Sequence, residues 1–146
     1  MIRVEHGHRF STPLERGFDY ITDIDNWPAY WPGLVRIEPG SRWSAPGDTA
    51  TLAIRLLGRE VELALTLVEL EPQHLVTYTS AQQGLPDAHH ERHFAGSGDG
   101  FDYRLVVEYE PRRGARGIFD RLILRRGVAG AMRRTVENLE RELPDG

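Results

Sequence analysis

The densest chemistry in the chain is one run, His89-His90-Glu91-Arg92-His93. Imidazoles exchange protons near neutral pH, and an arginine fork stabilises a carboxylate, phosphate or enolate oxygen. In a strand, alternate side chains face opposite ways. The run therefore offers an interior either His90 and Arg92, or His89, Glu91 and His93. The first set, with a hydroxyl from Tyr78 or Tyr103, suits acid–base work on an enolisable carbonyl. The second has the ligand types of a facial metal triad. Residues two apart in a strand lie ~6.8 Å apart along it, however, and no second cluster completes the set. A polar solvent face is the plainer reading, and neither a metal nor a cofactor is expected. Gly96-Ser97-Gly98-Asp99-Gly100 is glycine-rich but lacks the spacing of a dinucleotide loop, and it joins two strands.

The elements that must position these groups follow from periodicity. Residues 2–10 alternate, with Ile2, Val4, His6, His8 and Phe10 on one face. Thr12-Pro13 reads as a helix start, and Leu14, Phe18 and Ile21 give helical spacing. A second short helix spans Asp25–Trp31 and is closed by Pro32-Gly33. Strands are expected over Leu34–Trp43, Thr49–Leu57, Glu60–Leu70, Leu75–Gln82, Ala88–Ala95 and Phe101–Glu110, separated by turn residues. Ala115–Leu143 is helical, with Ile118, Leu122, Ala129, Met132, Val136, Leu139 and Leu143 as its apolar stripe, interrupted once by Arg125. Pro144 and Gly146 mark its end.

Short connections make neighbouring strands antiparallel. Pairing Leu57 with Glu60 sets Arg55 against Glu62 as a solvent-side pair. It also collects Leu52, Ile54, Leu56, Val61, Leu63, Leu65 and Leu67 on one apolar face, to be covered by the C-terminal helix. Pairing Leu70 with Leu75 brings Val76, Tyr78, Ser80 and Gln82 to that face. Pairing Phe94 with Phe101 brings His90, Arg92 and Phe94 there, with Phe101, Tyr103, Leu105, Val107 and Tyr109. A slip of one residue would reverse the histidine strand. An arginine is almost never fully buried without partners, so an inward Arg92 implies a space that is wet or holds a ligand with acceptor atoms. Gly127 and Gly130 in the helix leave room either for that ligand or for close sheet contact.

Composition excludes several classes. With 146 residues, 40% of them apolar, the chain suits one domain with a real core. It has no cysteine, which removes disulfides, thiol catalysis and cysteine-held metals. All 18 basic residues are arginine; without a lysine there is no side-chain amine for Schiff-base chemistry. The missing lysine itself fits a base-composition bias. No apolar run approaches the ~18 residues of a membrane span, and residues 1–20 lack the apolar stretch of a secretion signal, so a cytoplasmic protein is expected. Net charge is −4, yet Arg112 to Arg134 holds eight arginines and one acid, Asp120. With an acidic chain and no interleaved aromatics, nucleic acid is not an expected partner. The stripe reads as a solvated helix face, or as a surface for a protein partner or an anionic membrane.

The sequence resembles the START-like superfamily with the helix-grip fold, in particular its polyketide cyclase/dehydrase and lipid-transport branch. The matching segments are Ser11–Tyr20, Asp23-Ile24-Asp25-Asn26-Trp27-Pro28-Ala29-Tyr30-Trp31-Pro32-Gly33, the Val68–Pro72 turn and the Leu122–Leu143 helix. The resemblance covers essentially the whole chain. It implies an α+β architecture in which a seven-stranded antiparallel sheet grips a long C-terminal helix, with two short helices after the first strand and a hydrophobic cavity inside. It also implies a small hydrophobic ligand, polyketide-, lipid- or quinone-like, and in the cyclases an inward arginine and tyrosines that orient it.

The cavity candidates are Trp31, Leu63, Leu65, Tyr78, His90, Arg92, Tyr103, Leu105, Phe119 and Ile123. His90, Arg92 and Tyr103 are the catalytic candidates. Ligand binding is the leading expectation. Cyclisation or dehydration is the enzymatic alternative, and a ligand-free interaction module using the arginine segment is the third. A homodimer is compatible with all three.

Overall fold

In the computed structural model, residues 1–143 are described, so the expected stop at Pro144 and Gly146 lies outside them. The chain runs β1 (Ile2–Phe10), α1 (Leu14–Thr22), a 3-10 turn (Ile24–Asn26), α2 (Trp27–Tyr30), β2 (Leu34–Ile37), β3 (Thr49–Leu56), β4 (Arg59–Glu71), β5 (Leu75–Ala81), β6 (Ala88–Ser97), β7 (Gly100–Tyr109), and then α3 (Ala115–Phe119), a π-helical turn (Asp120–Leu124) and α4 (Arg125–Glu142). The last three form one continuous helix, since the junction residues Asp120 and Arg125 both keep right-handed helical dihedrals.

The seven strands form a fully antiparallel sheet in the order β1-β7-β6-β5-β4-β3-β2. It is a meander with one long closure, β1 against β7, where Ile2 faces Tyr109 and Phe10 faces Phe101. The inner face buries Leu52, Leu65, Leu67, Val76, Phe94 and Phe101, and α4 lays Met132, Val136 and Leu139 against it. Here α1 adds Phe18 and Ile21, and α2 adds Trp27 and Tyr30. This is the helix-grip arrangement.

The observed registers differ from the sequence reading in instructive ways. The β3–β4 turn is Leu57-Gly58, both at positive φ (54° and 76°), a mirror-image turn of the kind that matches sheet twist. It pairs Leu56 with Arg59 and Arg55 with Glu60, not with Glu62. The shift is two residues, so every side chain keeps its expected face. Glu60 is instead bridged by Arg36, at 3.4 Å. At the next turn Leu70 pairs with Val76, not Leu75, and an irregularity between Leu67 and Glu69 restores the expected parity, with Leu67 opposite Tyr78. Phe94 pairs with Tyr103 and Gly96 with Phe101, again a two-residue shift. The first sheet segment after α2 ends at Ile37, well short of Trp43, because Pro39-Gly40 breaks it.

The helix shows the largest departure. Met132, Val136, Leu139 and Leu143 are buried as expected, but Ile118 and Leu122 are 61% and 58% exposed. The π turn inserts one extra residue into the helical repeat. That rotates the upstream stripe outward and brings Leu124 in, at 4% exposure. Arg125, which interrupts the stripe in the sequence, is exposed and follows the change of phase.

Gly100 opens β7 where β1 ends. A Cβ there would lie 1.9 Å from the Phe10 carbonyl oxygen, and neither backbone can yield without breaking the β1–β7 ladder. Gly100→Ala is expected to lower the unfolding free energy by about 3 kcal/mol, measured by urea denaturation. An unchanged midpoint would show that the ladder end is slack.

Candidate functional site

The histidine strand settles in one orientation. Tyr78 faces His90 across the β5–β6 pair, and Val76 faces Arg92, so His90 and Arg92 point under the helix. The other set, His89, Glu91 and His93, lies on the outer face. There Glu91 accepts from both imidazoles, at 3.1 Å from His89 Nε2 and 2.7 Å from His93 Nε2. The His93 contact is the main reason its carboxyl sits below the usual carboxylate range. The corrected register also brings Glu108 of β7 opposite His89, and ligand atoms of His89, Glu91 and Glu108 fall within 4.8 Å of one another. The sequence reading found no such second contributor. Glu108 is also paired with Arg3, at 3.3 Å.

Arg92 is the unusual group. It is only 8% exposed, and no carboxylate lies within ion-pairing distance of it among the described residues. Its guanidinium donates through Nη1 to the Tyr30 hydroxyl (3.1 Å) and through Nη2 to the Tyr78 hydroxyl (3.2 Å). Its central carbon lies 5.3 Å from the Trp31 ring centroid and 5.5 Å from that of Tyr78, a cation–π setting. Arg92 Nε and the Tyr103 hydroxyl are both buried without a hydrogen-bond partner. Tyr30 donates its own hydroxyl hydrogen bond to the Ile21 carbonyl at 2.6 Å, which fixes α1 and α2 against the arginine. Burial pushes the Tyr30 hydroxyl up to about 12 and raises that of Tyr103 as well, with the Arg92 charge opposing both shifts. Both are phenol donors at neutral pH.

His90 stacks flat on Tyr78, with centroids 4.4 Å apart and planes 5° apart, and shares a 2.8 Å hydrogen bond between Nε2 and Ser80 Oγ. Burial, then the charge of Arg92, push it down to about 3. Its ring is therefore neutral near pH 7 and takes part as a hydrogen-bonding group.

These groups border a cavity of about 150 Å³ between sheet and helix, the size of a void that takes a single small aromatic molecule. Trp31, Leu63, Tyr78, His90, Arg92 and Leu105 of the expected set line it. Leu65 is buried in the core, and Tyr103 is packed deeper than the cavity wall. Phe119 and Ile123 do not reach the cavity; Ile123 is 51% exposed, turned out by the π turn, and Leu124 and Val128 take their place. Tyr30 is a polar partner of Arg92 that lies outside the expected cavity set. Its signal was the Trp27-Tyr30-Trp31 spacing, where a hydroxyl sits among residues otherwise fit for packing. Gly127 lies against the tip of the β3–β4 turn: a Cβ there would meet the side-chain end of Leu57, Cδ2, at 2.9 Å.

Comparison with known proteins fits this geometry. Residues 1–144 match the family model described as polyketide cyclase/dehydrase and lipid transport. The chain belongs to that family. No curated protein matches it significantly in sequence. Among solved structures, a protein from Thermus thermophilus is similar at 16% identity and TM-score 0.81, covering 96% of this chain and 95% of its own. A START superfamily protein from Mycobacterium smegmatis is similar at 10% identity and TM-score 0.77, over 97% and 96%. The Zhui aromatase/cyclase of a Streptomyces species is similar at 15% identity and TM-score 0.74, over 99% and 98%. At these identities the shared property is the fold. Among the described residues of this polyketide cyclase/dehydrase family member, no helix is long and apolar enough to cross a membrane.

Proposed function

We infer that the protein binds a small, largely apolar, ring-containing molecule with an oxygen acceptor in the cavity between sheet and helix. The observation that carries this is Arg92. A guanidinium taken out of water with only neutral phenols for company is costly. An oxygen of a ligand entering the cavity would supply the missing acceptor, while Trp31, Leu63 and Leu105 would cover its apolar body. The Zhui neighbour's printed activity, aromatase/cyclase, supports an oxygenated ring system of the polyketide kind, while the family description names both polyketide chemistry and lipid transport.

The same donors favour a second reading, cyclisation or dehydration of a polyketone, in which Arg92 and a tyrosine hydroxyl would hold the enolate oxygen. With His90 at about 3, no inward group of the set is a proton acceptor matched to neutral pH, so binding stands ahead of turnover.

Titration calorimetry with 2-naphthol and naphthalene tests the binding reading. Both are expected to bind, the naphthol about tenfold or more tightly, as suits a hydrogen bond to a charged donor. Ala131→Trp, which drives an indole into the cavity, is expected to abolish both. Failure of the wild-type protein to bind either compound, or unchanged binding by Ala131→Trp, overturns the reading.

A further inference from the structure

The π turn leaves Ile118, Leu122 and Ile123 61%, 58% and 51% exposed within six residues. Scattered exposed aliphatics are ordinary; a cluster of them on one helical segment marks an interaction surface. Leu57, itself 43% exposed and held at φ 54°, comes against the same helix at Gly127. Around this cluster Arg116, Arg121, Arg125 and Arg126 are all exposed. The only acid in the stretch, Asp120, is fully buried and held by Arg112. Among the described residues, no carboxylate lies within salt-bridge distance of those four arginines. In a chain of net charge −4, this segment is strongly cationic.

We propose that this segment, Ile118 to Arg126, is a docking surface for an anionic lipid bilayer, with the aliphatic side chains entering the acyl boundary and the arginines on the headgroups. Aliphatic side chains framed by arginines on a short helical stretch are the composition of helices that lie in the membrane interface. A second copy of the chain fits poorly, because a two-fold contact sets the same arginines against each other. Nucleic acid would use the arginines but leave Ile118, Leu122 and Ile123 without a partner. The next residues of the same helix, Leu124 and Val128, line the cavity, so docking would bring the cavity wall to the membrane surface. The proposal does not rest on the cavity being occupied.

Vesicle flotation tests it. The protein is expected to float with vesicles of equal parts phosphatidylglycerol and phosphatidylcholine, and to stay behind with phosphatidylcholine alone. Each of Arg121→Ala and Arg125→Ala is expected to weaken binding about fivefold. Ile118→Ser/Leu122→Ser/Ile123→Ser, whose sites are exposed and whose melting is expected to match wild type, should lose most of the remainder. No flotation with the anionic vesicles overturns the proposal. So does full binding by the triple serine variant, which would mean polyanion adsorption only. So does retention of an RNA oligomer without flotation, or a dimer in solution that the serine variant dissolves.

Discussion

Arg92→Met is expected to make the free protein more stable and a worse receptor. Methionine keeps the length and apolar packing of the arginine stem while removing a charge that has no carboxylate partner. The two tyrosines that lose a donor, Tyr30 and Tyr78, keep other contacts: Tyr30 still donates to Ile21 O at 2.6 Å, and Tyr78 still stacks on His90. Replacing a buried charge by a well-packed apolar side chain is commonly neutral to stabilising, and a gain of about 1–2 kcal/mol in urea unfolding is expected. The opposite change is expected in binding. The preference for 2-naphthol over naphthalene should fall by about tenfold or more, while naphthalene affinity stays. If stability instead drops by a similar amount with the preference intact, Arg92 is a structural strut and the binding reading loses its support.

A second large effect is expected at Asp120. This carboxylate is fully buried and receives three hydrogen bonds from Arg112: from its backbone nitrogen at 2.7 Å, from Nε at 3.0 Å and from Nη2 at 2.7 Å. Arg112 also donates to Gly84 O, so the pair ties the start of the C-terminal helix to the β5–β6 loop. The Asp120 backbone carbonyl takes the Tyr109 hydroxyl at 3.0 Å. Asp120→Ala strands the arginine fork and is expected to cost about 3 kcal/mol, less than the most buried cases because the Arg112 side chain remains 23% exposed. The Arg112 contacts hold the Asp120 carboxyl below the usual aspartate range. Its stabilisation is therefore complete above the unfolded value, ~4, and is lost as pH falls through the lower folded value. Asp120→Asn should flatten that acid limb. A stability–pH curve parallel to wild type below pH ~4 would remove the ion pair as its cause.

Much of the fold was legible because side-chain parity survives errors of two. Arg55 was set against the wrong glutamate and Phe94 against the wrong aromatic, yet His90 and Arg92 still fell inward, since a two-residue shift changes neighbours and not faces. Near the β4–β5 turn the error was a single residue, and only the irregularity at Val68 absorbed it. Local spacing carries no sign of such a correction. The site was legible where one side chain's chemistry conflicted with its place, as with an inward Arg92. It was illegible where position depends on distant elements. Tyr30 reaches Arg92 only because α2 folds back under β6. Ile123 leaves the cavity only because of a π turn, and the residues of that turn, Asp120-Arg121-Leu122-Ile123-Leu124, fit an ordinary helix equally well. Glu108 joins His89 and Glu91 only through the true register of β7.

The order of the strands also says when each can form. From β2 to β7 every strand pairs with its neighbour in sequence, so this part of the sheet can assemble by successive hairpins whose loops close at little entropic cost. β1 is made first by the ribosome and paired last, since its partner β7 lies at the other end of the meander. Until β7 exists, β1 is a free edge, open to pairing with any passing strand. Arg3, Glu5 and Arg9 on one side of β1 make such wrong partners unfavourable. The long closure then sets the pace of folding, because it is the contact of greatest sequence separation in the sheet.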